Sequence, residues 1–484
     1  MIDIILNQNG LSFNRLEKEI YKAACKMACD ALAYILEKLD KKLSAERDKS
    51  KYRHKGKRRT TVKTLMGETT FYRTVYEHIN DEGRKIFVHL LDEQLGFDTI
   101  GLISTNLAEK VVENASITSF RNAAKNVTDL TGQSISHGGV WNVVQALGEK
   151  IKDDEANQVK AAERNELCGE KEVPILFEEA DGVYINIQGR DRPNSNKKLE
   201  MKVAVAYEGW KETGNNRFEL INKIACAGFD EASVFYKKKE AMIAKEYNVD
   251  EIEMRILNGD GAAWIKHGID DTVHYQLDPF HKHQAVLRNV SDRDQRKTIL
   301  ALLGENKIED VLMYIEALAN SVEDEKEEKR LRDLYSYFNG NKYGLIPYQD
   351  RGLSIPLPPE GMVYRNLGTM EHHICDIIAQ RMKHRKASWS IKGAGNLGKL
   401  LAAKASRRLH DVIERFSRIV LPEDKSIEII EILSASKAPK KDGKGKDGNI
   451  HKGQIPFQNC AVTNGRKAIH DMFDMKAFSD LIYR

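Results

Sequence analysis

Between Val173 and Lys386, short β-patterned runs repeatedly end on acids, and this constrains the fold more than any other feature. The first run, Val173–Ile187, contains Glu178, Glu179 and Asp181. A second, Asp250–Leu257, leads into Asn258-Gly259-Asp260-Gly261, and a third, Thr272–Leu277, into Asp278-Pro279-Phe280-His281. Further on, Gly368-Thr369-Met370-Glu371-His372-His373 opens a helical pattern. Period-two alternation puts Glu179 and Asp181 on one face of their strand. An unpaired charge in a buried strand is costly, so such acids need partners. Asp181, Asp260 and Glu371 are the candidate catalytic residues and metal ligands. Together they suit two magnesium ions, with manganese able to substitute, because magnesium takes a few carboxylates plus water and phosphate oxygens. Glu178 and Glu179 compete with Asp181 for the first place. Glu179, Asp278 and His281 are candidate supporting residues, although Asp278 can also be read as a simple turn cap with His281 packed beside it.

The order of elements supplies the scaffold. Three strands (Val173–Ile187, Glu200–Tyr207, Ile221–Ala227) precede a helix over Glu231–Tyr247, then come the two further strands and a late helix bearing Glu371. This is the order of a ribonuclease-H-like α/β fold, a mixed sheet flanked by helices. The charged segment at about 282–359, including Glu323-Asp324-Glu325-Lys326, reads as a helical insertion. The expected division is an N-terminal helix (1–45), a basic hairpin region (46–100), a mostly helical helix-turn-helix domain (101–165), the catalytic domain (166–400) and a C-terminal helical tail (401–484). In that tail one helix is expected over Leu397–Ile419, then a Lys/Gly-rich linker near 437–453.

With 76 basic and 72 acidic residues the net charge is only +4, so any polyanion contact must come from local clustering. Lys55, Lys57, Arg58 and Arg59 form such a cluster before a β-branched, aromatic hairpin turning near Gly67. Cations beside Tyr and Phe suit a phosphate-contacting surface; a solvated edge hairpin is the alternative. Downstream, a helical pattern stops at Gly132, and Ser136 can cap the next helix. Helix, short turn, helix is the helix-turn-helix plan, with His137, Asn142 and Gln145 offered to DNA. A helical hairpin with no DNA role fits the same pattern. Arg381, Lys383 and Arg385 form a later basic cluster, with Trp389 nearby as a stacking or core residue. Residues 12–45 read as one amphipathic helix, and 149–172 as a linker or exposed helix. The six cysteines (25, 29, 168, 226, 375, 460) form no CxxC pair. With no signal peptide or membrane span evident, a reducing cytoplasm is expected.

The motifs Glu179-Ala180-Asp181-Gly182, Asn258-Gly259-Asp260-Gly261-Ala262-Ala263-Trp264-Ile265, Leu277-Asp278-Pro279-Phe280-His281 and Gly368-Thr369-Met370-Glu371-His372-His373 resemble those of the ISLre-type insertion-sequence transposases of bacteria. That group belongs to the DDE class and is distantly similar to Mutator-like transposases. The resemblance covers nearly the whole chain and implies Asp181, Asp260 and Glu371 as the DDE triad. Asp278 and His281 match the Cys- or Asp-x-x-His element of Mutator-like relatives. Some DDE families carry a cation seven residues after the glutamate; here Ile378 stands there and Arg381 lies three further on. The resemblance implies an enzyme that binds the terminal inverted repeats of its element. It would cleave the 3′ ends with a metal and transfer them into target double-stranded DNA as a homo-oligomer. A ribonuclease-H-like nuclease or resolvase without strand transfer, and a non-catalytic helix-turn-helix DNA-binding protein, are the alternatives.

Overall fold

A computed structural model describes residues 12–80, 83–95, 103–189, 192, 197–384 and 387–417. The Lys/Gly-rich stretch and Arg385 lie outside the described residues. Helix α1 (Phe13–Glu46) starts at Ser12, whose Oγ accepts the Arg15 N–H. It lies on a three-stranded antiparallel sheet of β1 (Arg53–Lys63), β2 (Glu68–Ile79) and β3 (Lys85–Val88). The expected hairpin is β1–β2, turning at Gly67, with β3 added. Leu36 of α1 meets Val62, Phe71 and Leu91 in a small core. Buried Asp40 anchors the helix by accepting the Thr74 N–H at 2.9 Å and its hydroxyl at 2.7 Å. The short helix α2 (Leu90–Leu95) closes this region.

Three helices follow: α3 (Thr105–Ile117), α4 (Phe120–Thr131) and α5 (His137–Glu163). Gly132 ends α4 in the left-handed region at φ 68°, where glycine has no Cβ to strain. Ser136 Oγ then caps α5 by accepting the Gly139 N–H at 3.0 Å. The segment read as a linker or exposed helix from 149 is helical as far as Glu163, so α5 is one 27-residue rod.

The central sheet joins β4 (Ile175–Asn186), β5 (Lys198–Tyr207), β8 (Ile224–Gly228), β9 (Met254–Gly259) and β10 (Val273–Leu277). A small hairpin, β6 (Gly209–Gly214) with β7 (Arg217–Ile221), precedes the expected third strand, which starts as β8 at Ile224. The order across the sheet is β10-β9-β4-β5-β8. Strands β4, β5 and β8 pair antiparallel, while β9 and β10 add parallel to β4. Strand β4 is thus central and buried on both faces, so its acids Glu178 and Glu179 each need partners. One face carries Leu176, Ala180, Ala204 and Leu257 and is covered by α6 (Ala232–Glu246) through Phe235 and Ile243. On that face Glu178 is neutralised by Arg255 Nε at 2.6 Å and Lys239 Nζ at 2.5 Å.

The other face carries Ile175, Phe177, Val203, Val205 and Ile256 in the main core. Between β10 and the late helices, α7 (Pro279–Asn289), α8 (Arg293–Gly304), α9 (Ile308–Ser321) and α10 (Glu325–Gly340) enclose a separate core around Val311, Ile315, Leu334 and Phe338. Helix α11 (Met370–Ile374) runs through a π-helical turn (Cys375–Ala379) into α12 (Gln380–Met382). The helix expected over Leu397–Ile419 is two, α13 (Ile391–Ala405) and α14 (Leu409–Ser417). The break has a visible cause: Ser406 Oγ accepts the Ala225 N–H of β8 at 2.9 Å, and Arg407 turns left-handed at φ 56°. No helix among the described residues is long and apolar enough to cross a membrane.

Helices α5 and α13 cross at Gly148 and Asn396. A Cβ on Gly148 would lie 2.6 Å from Asn396 Cα and 2.8 Å from its carbonyl oxygen. Alanine ordinarily favours a helix by about 1 kcal/mol over glycine. At Gly148 the backbone clash reverses the sign, and Gly148→Ala is expected to destabilise the chain by about 1–3 kcal/mol in chemical denaturation.

Candidate functional site

The site follows from strand register. Strand β9 pairs Asn258 with Glu179 and Gly259 with Ala180 on one side. On its other side it pairs Asn258 with Gln276 and Gly259 with Leu277. The next residue on each of these three parallel strands is an aspartate: Asp181, Asp260 and Asp278. Adjacent strands lie about 4.8 Å apart, so three acids form a row across the sheet. Two residues back, Glu179, Asn258 and Gln276 form a second polar row on the same face.

Buried Glu179 ties the rows to the late helix. Its carboxylate accepts from Tyr207 OH at 2.7 Å, Asn258 Nδ2 at 2.9 Å, the Thr369 N–H at 3.0 Å and the Thr369 hydroxyl. Burial pushes the Glu179 acid up, Asp278 adds to this, and the Thr369, Tyr207 and Asn258 donors oppose it. Thr369 spends its side chain on Glu179 and makes no side-chain cap to α11. The start of α11 is thereby pinned to β4, and Glu371 in its first turn arrives beside Asp181.

Asp181, His281 and Glu371 each present a ligand atom, and these atoms lie within 4.8 Å of one another. His281 Nε2 stands 3.5 Å from Asp181 Oδ2. That carboxylate holds the imidazole above its usual pKa, against the opposing effect of burial. Asp260 adjoins this group: burial raises its acid, and the charges of Asp181 and Asp278 raise it further. Gly261, left-handed at φ 93°, turns the chain so that the Ala262 N–H reaches Asp260 Oδ1 at 2.8 Å. Asp278 is both a cap and a member of the row. Its Oδ1 accepts the Phe280 and His281 N–H groups, while its Oδ2 accepts Asn258 Nδ2 at 2.7 Å. Converging carboxylates with one imidazole make a donor set suited to a divalent cation.

The structure therefore brings Asp181, Asp260, Glu371, Glu179, Asp278 and His281 together. His281, read as a supporting residue, stands within the tightest potential ligand group. Asn258, Thr369 and Tyr207 were missed. Asn258 had one signal, since it precedes Asp260 by two and shares its face. Tyr337 was missed as well: from α10 of the insertion its hydroxyl donates to the Asp260 carbonyl at 2.7 Å, bracing the turn that presents Asp260.

The residues offered to DNA divide. Lys55, Lys57, Arg58 and Arg59 are exposed on β1, with Lys55 paired to Glu77 at 2.7 Å. His137 and Asn142 are exposed near the start of α5, and Lys383 is exposed after α12. Two placements correct the sequence expectation. Gln145 is buried, its Oε1 accepting Asn396 Nδ2 at 2.8 Å, because it lies on the face of α5 that packs against α13. Arg381 is buried too, with its Nε donating to the Ala115 carbonyl and its guanidinium 4.9 Å from the Trp389 ring centroid and 5.2 Å from that of Phe120. Trp389 is correspondingly packed, with its Nε1 donating to the Met382 carbonyl at 3.0 Å.

A mixed α/β chain with an acid row across adjacent parallel strands can be set beside known proteins. Residues 6–414 match the model of the Uncharacterised protein family (UPF0236), and the chain belongs to that family. A UPF0236 protein of Caldanaerobacter subterraneus subsp. tengcongensis, named by eleven locus labels, is 26% identical over 400 residues, covering 82% of this chain and 78% of that one. The UPF0236 protein in the vanSb 3′ region of Streptococcus gallolyticus is 25% identical over 399 residues, covering 81% and 82%. Among solved structures, a pre-cleavage Mos1 transpososome is matched over 50% of this chain and 78% of that chain, at 10% identity and a TM-score of 0.13. A similarity that weak carries no argument.

Thr369→Val removes one donor from buried Glu179 and loosens the start of α11. A stability loss of about 1–3 kcal/mol is expected in denaturant titration, the cost of leaving a buried polar group short of a partner.

Proposed function

We propose that this chain is a DDE-class DNA transposase of the ISLre type, acting on the terminal inverted repeats of an insertion sequence. The observation that carries the proposal is that Asp181 and Asp260 are neighbours on adjacent parallel strands, while Glu371, in the first turn of α11, offers a ligand atom within 4.8 Å of one from Asp181. The strand order, a three-stranded antiparallel meander extended by two parallel strands, supports a ribonuclease-H-like catalytic domain. Eleven locus labels under one relative's name fit a gene that copies itself within a genome. The exposed cations of β1, with His137 and Asn142 on α5, supply a surface for duplex phosphates and bases.

Asp181, Asp260 and Glu371 would hold the divalent ions, magnesium or manganese, with His281 within reach. Such ions, when bound, make water a stronger nucleophile and neutralise charge at phosphorus. The chain's own part is positional. Glu179 and Thr369 fix Glu371 against Asp181, Gly261 and Tyr337 fix Asp260, and Glu371 faces solvent, where a DNA strand can enter. Water cleaves a phosphodiester at each 3′ end of the element. The freed 3′-OH then attacks a target phosphodiester, exchanging one P–O bond for another with no protein-bound intermediate.

The test is cleavage and joining on a labelled duplex carrying the element's ends, with magnesium or manganese, comparing wild type with Asp260→Ala. The wild type is expected to cut at the 3′ ends and join them to target. Asp260→Ala is expected to keep end binding and to lose cutting by roughly a hundredfold or more. Cutting without joining would point to a nuclease instead, and cutting that survives the substitution would remove Asp260 from the chemistry.

A further inference from the structure

Helix α1 has two apolar faces, and the described residues cover one of them. Leu32, Leu36, Leu39 and Leu43 point to the β1–β2 sheet. On the opposite side Phe13 is 81% exposed, Ile20 53%, Met27 60%, Tyr34 62% and Ile35 59%. Phe13, Ile20, Met27 and Tyr34 recur every seven residues, and Ala24 and Ala31, also exposed, sit four residues after Ile20 and Met27. At about 100° per residue, these positions together with Glu17, Ile35 and Lys38 fall within an arc of about 100°. The 4-3 alternation Ile20, Ala24, Met27, Ala31, Tyr34 is the pattern of a helix-pairing seam, and the two alanines leave room for close approach of a second backbone. An exposed apolar stripe of this length marks an interaction surface.

The charges at its ends say what the stripe pairs with. Exposed Glu17 stands near the start and exposed Lys38 near the end, with Lys38 Nζ lying 5.2 Å from the Tyr34 ring centroid. Side by side in parallel, two copies would set Glu17 against Glu17 and Lys38 against Lys38. An antiparallel alignment centred between Met27 and Ala28 instead brings Glu17 to Lys38, Ile20 to Ile35 and Ala24 to Ala31 of the other copy, and each pairing occurs twice. A surface that complements itself under a two-fold axis is the mark of an isologous dimer. We infer that the outer face of α1 binds the same face of a second copy of this chain, antiparallel, forming a dimer in the absence of DNA. This inference is independent of the chemistry at the acid row.

The test is the mass of the full-length chain by sedimentation velocity without nucleic acid, over a range of concentrations. A dimer is expected, and Met27→Glu should weaken it roughly tenfold or more, since the seam would bury an unpaired charge. Met27 is exposed in the single chain, so its denaturation midpoint at low protein concentration should stay unchanged. Glu17→Lys and Lys38→Glu should each weaken the dimer by about twofold to fivefold, and combining them should restore it. A chain that remains monomeric, or a dimer indifferent to Met27→Glu, would overturn the inference. Failure of the double exchange to restore association would overturn the antiparallel register. A chain that dimerises but cuts no DNA would leave this inference standing while removing the proposed function.

Discussion

The buried carboxylate of Glu179 is the interaction on which the rest of the site depends. A charged group removed from water persists only where enough donors replace the lost hydration. Here the donors come from three separate elements: Tyr207 on β5, Asn258 on β9 and Thr369 ahead of α11. Satisfying one acid therefore fixes where two strands and a helix start relative to β4. Asn258 carries the constraint one strand further by donating also to Asp278. The aspartates two residues along the strands inherit this alignment, and Glu371 is carried to Asp181 by the segment that Glu179 holds.

The two faces of the sheet resolve their charges differently. Behind the site, Glu178 is neutralised by Arg255 and Lys239, and Glu240 grips the same arginine, so that face closes on itself. In front, burial and the charges of Asp181 and Asp278 raise the Asp260 acid, with His281 as the nearby imidazole. An acid row that makes no salt bridge with a lysine or arginine among the described residues suits a divalent cation. The insertion contributes as well: its core is separate, yet Tyr337 reaches back to the Asp260 turn, so its packing bears on how that acid is presented.

Much of this was legible in the sequence because the informative signals were local. Asp181 and Asp260 are acids beside glycines, one within a β-run and one at the end of another, and Gly132 and Ser136 punctuate the helices in the usual way. What could not be read depends on long-range packing. Nothing near Gln145 announces that its face of α5 meets Asn396, 251 residues away. Arg381 looks like a DNA-facing cation until Phe120 and Trp389 are folded around it. The break between α13 and α14 answers an N–H on β8, and Thr369 finds Glu179 across 190 residues. Helical periodicity in α1 was plain, but which of its two apolar faces lies on the sheet is decided by Asp40 meeting Thr74.

The central claim is that the acid row with Glu371 holds divalent metal. The most direct measurement is the anomalous difference density of manganese soaked into crystals of the full-length protein. The account predicts manganese bound between Asp181 and Glu371, within reach of Asp260 or His281. Manganese absent from that row at a concentration that fills other sites, or density there that persists in Asp181→Ala, would contradict it.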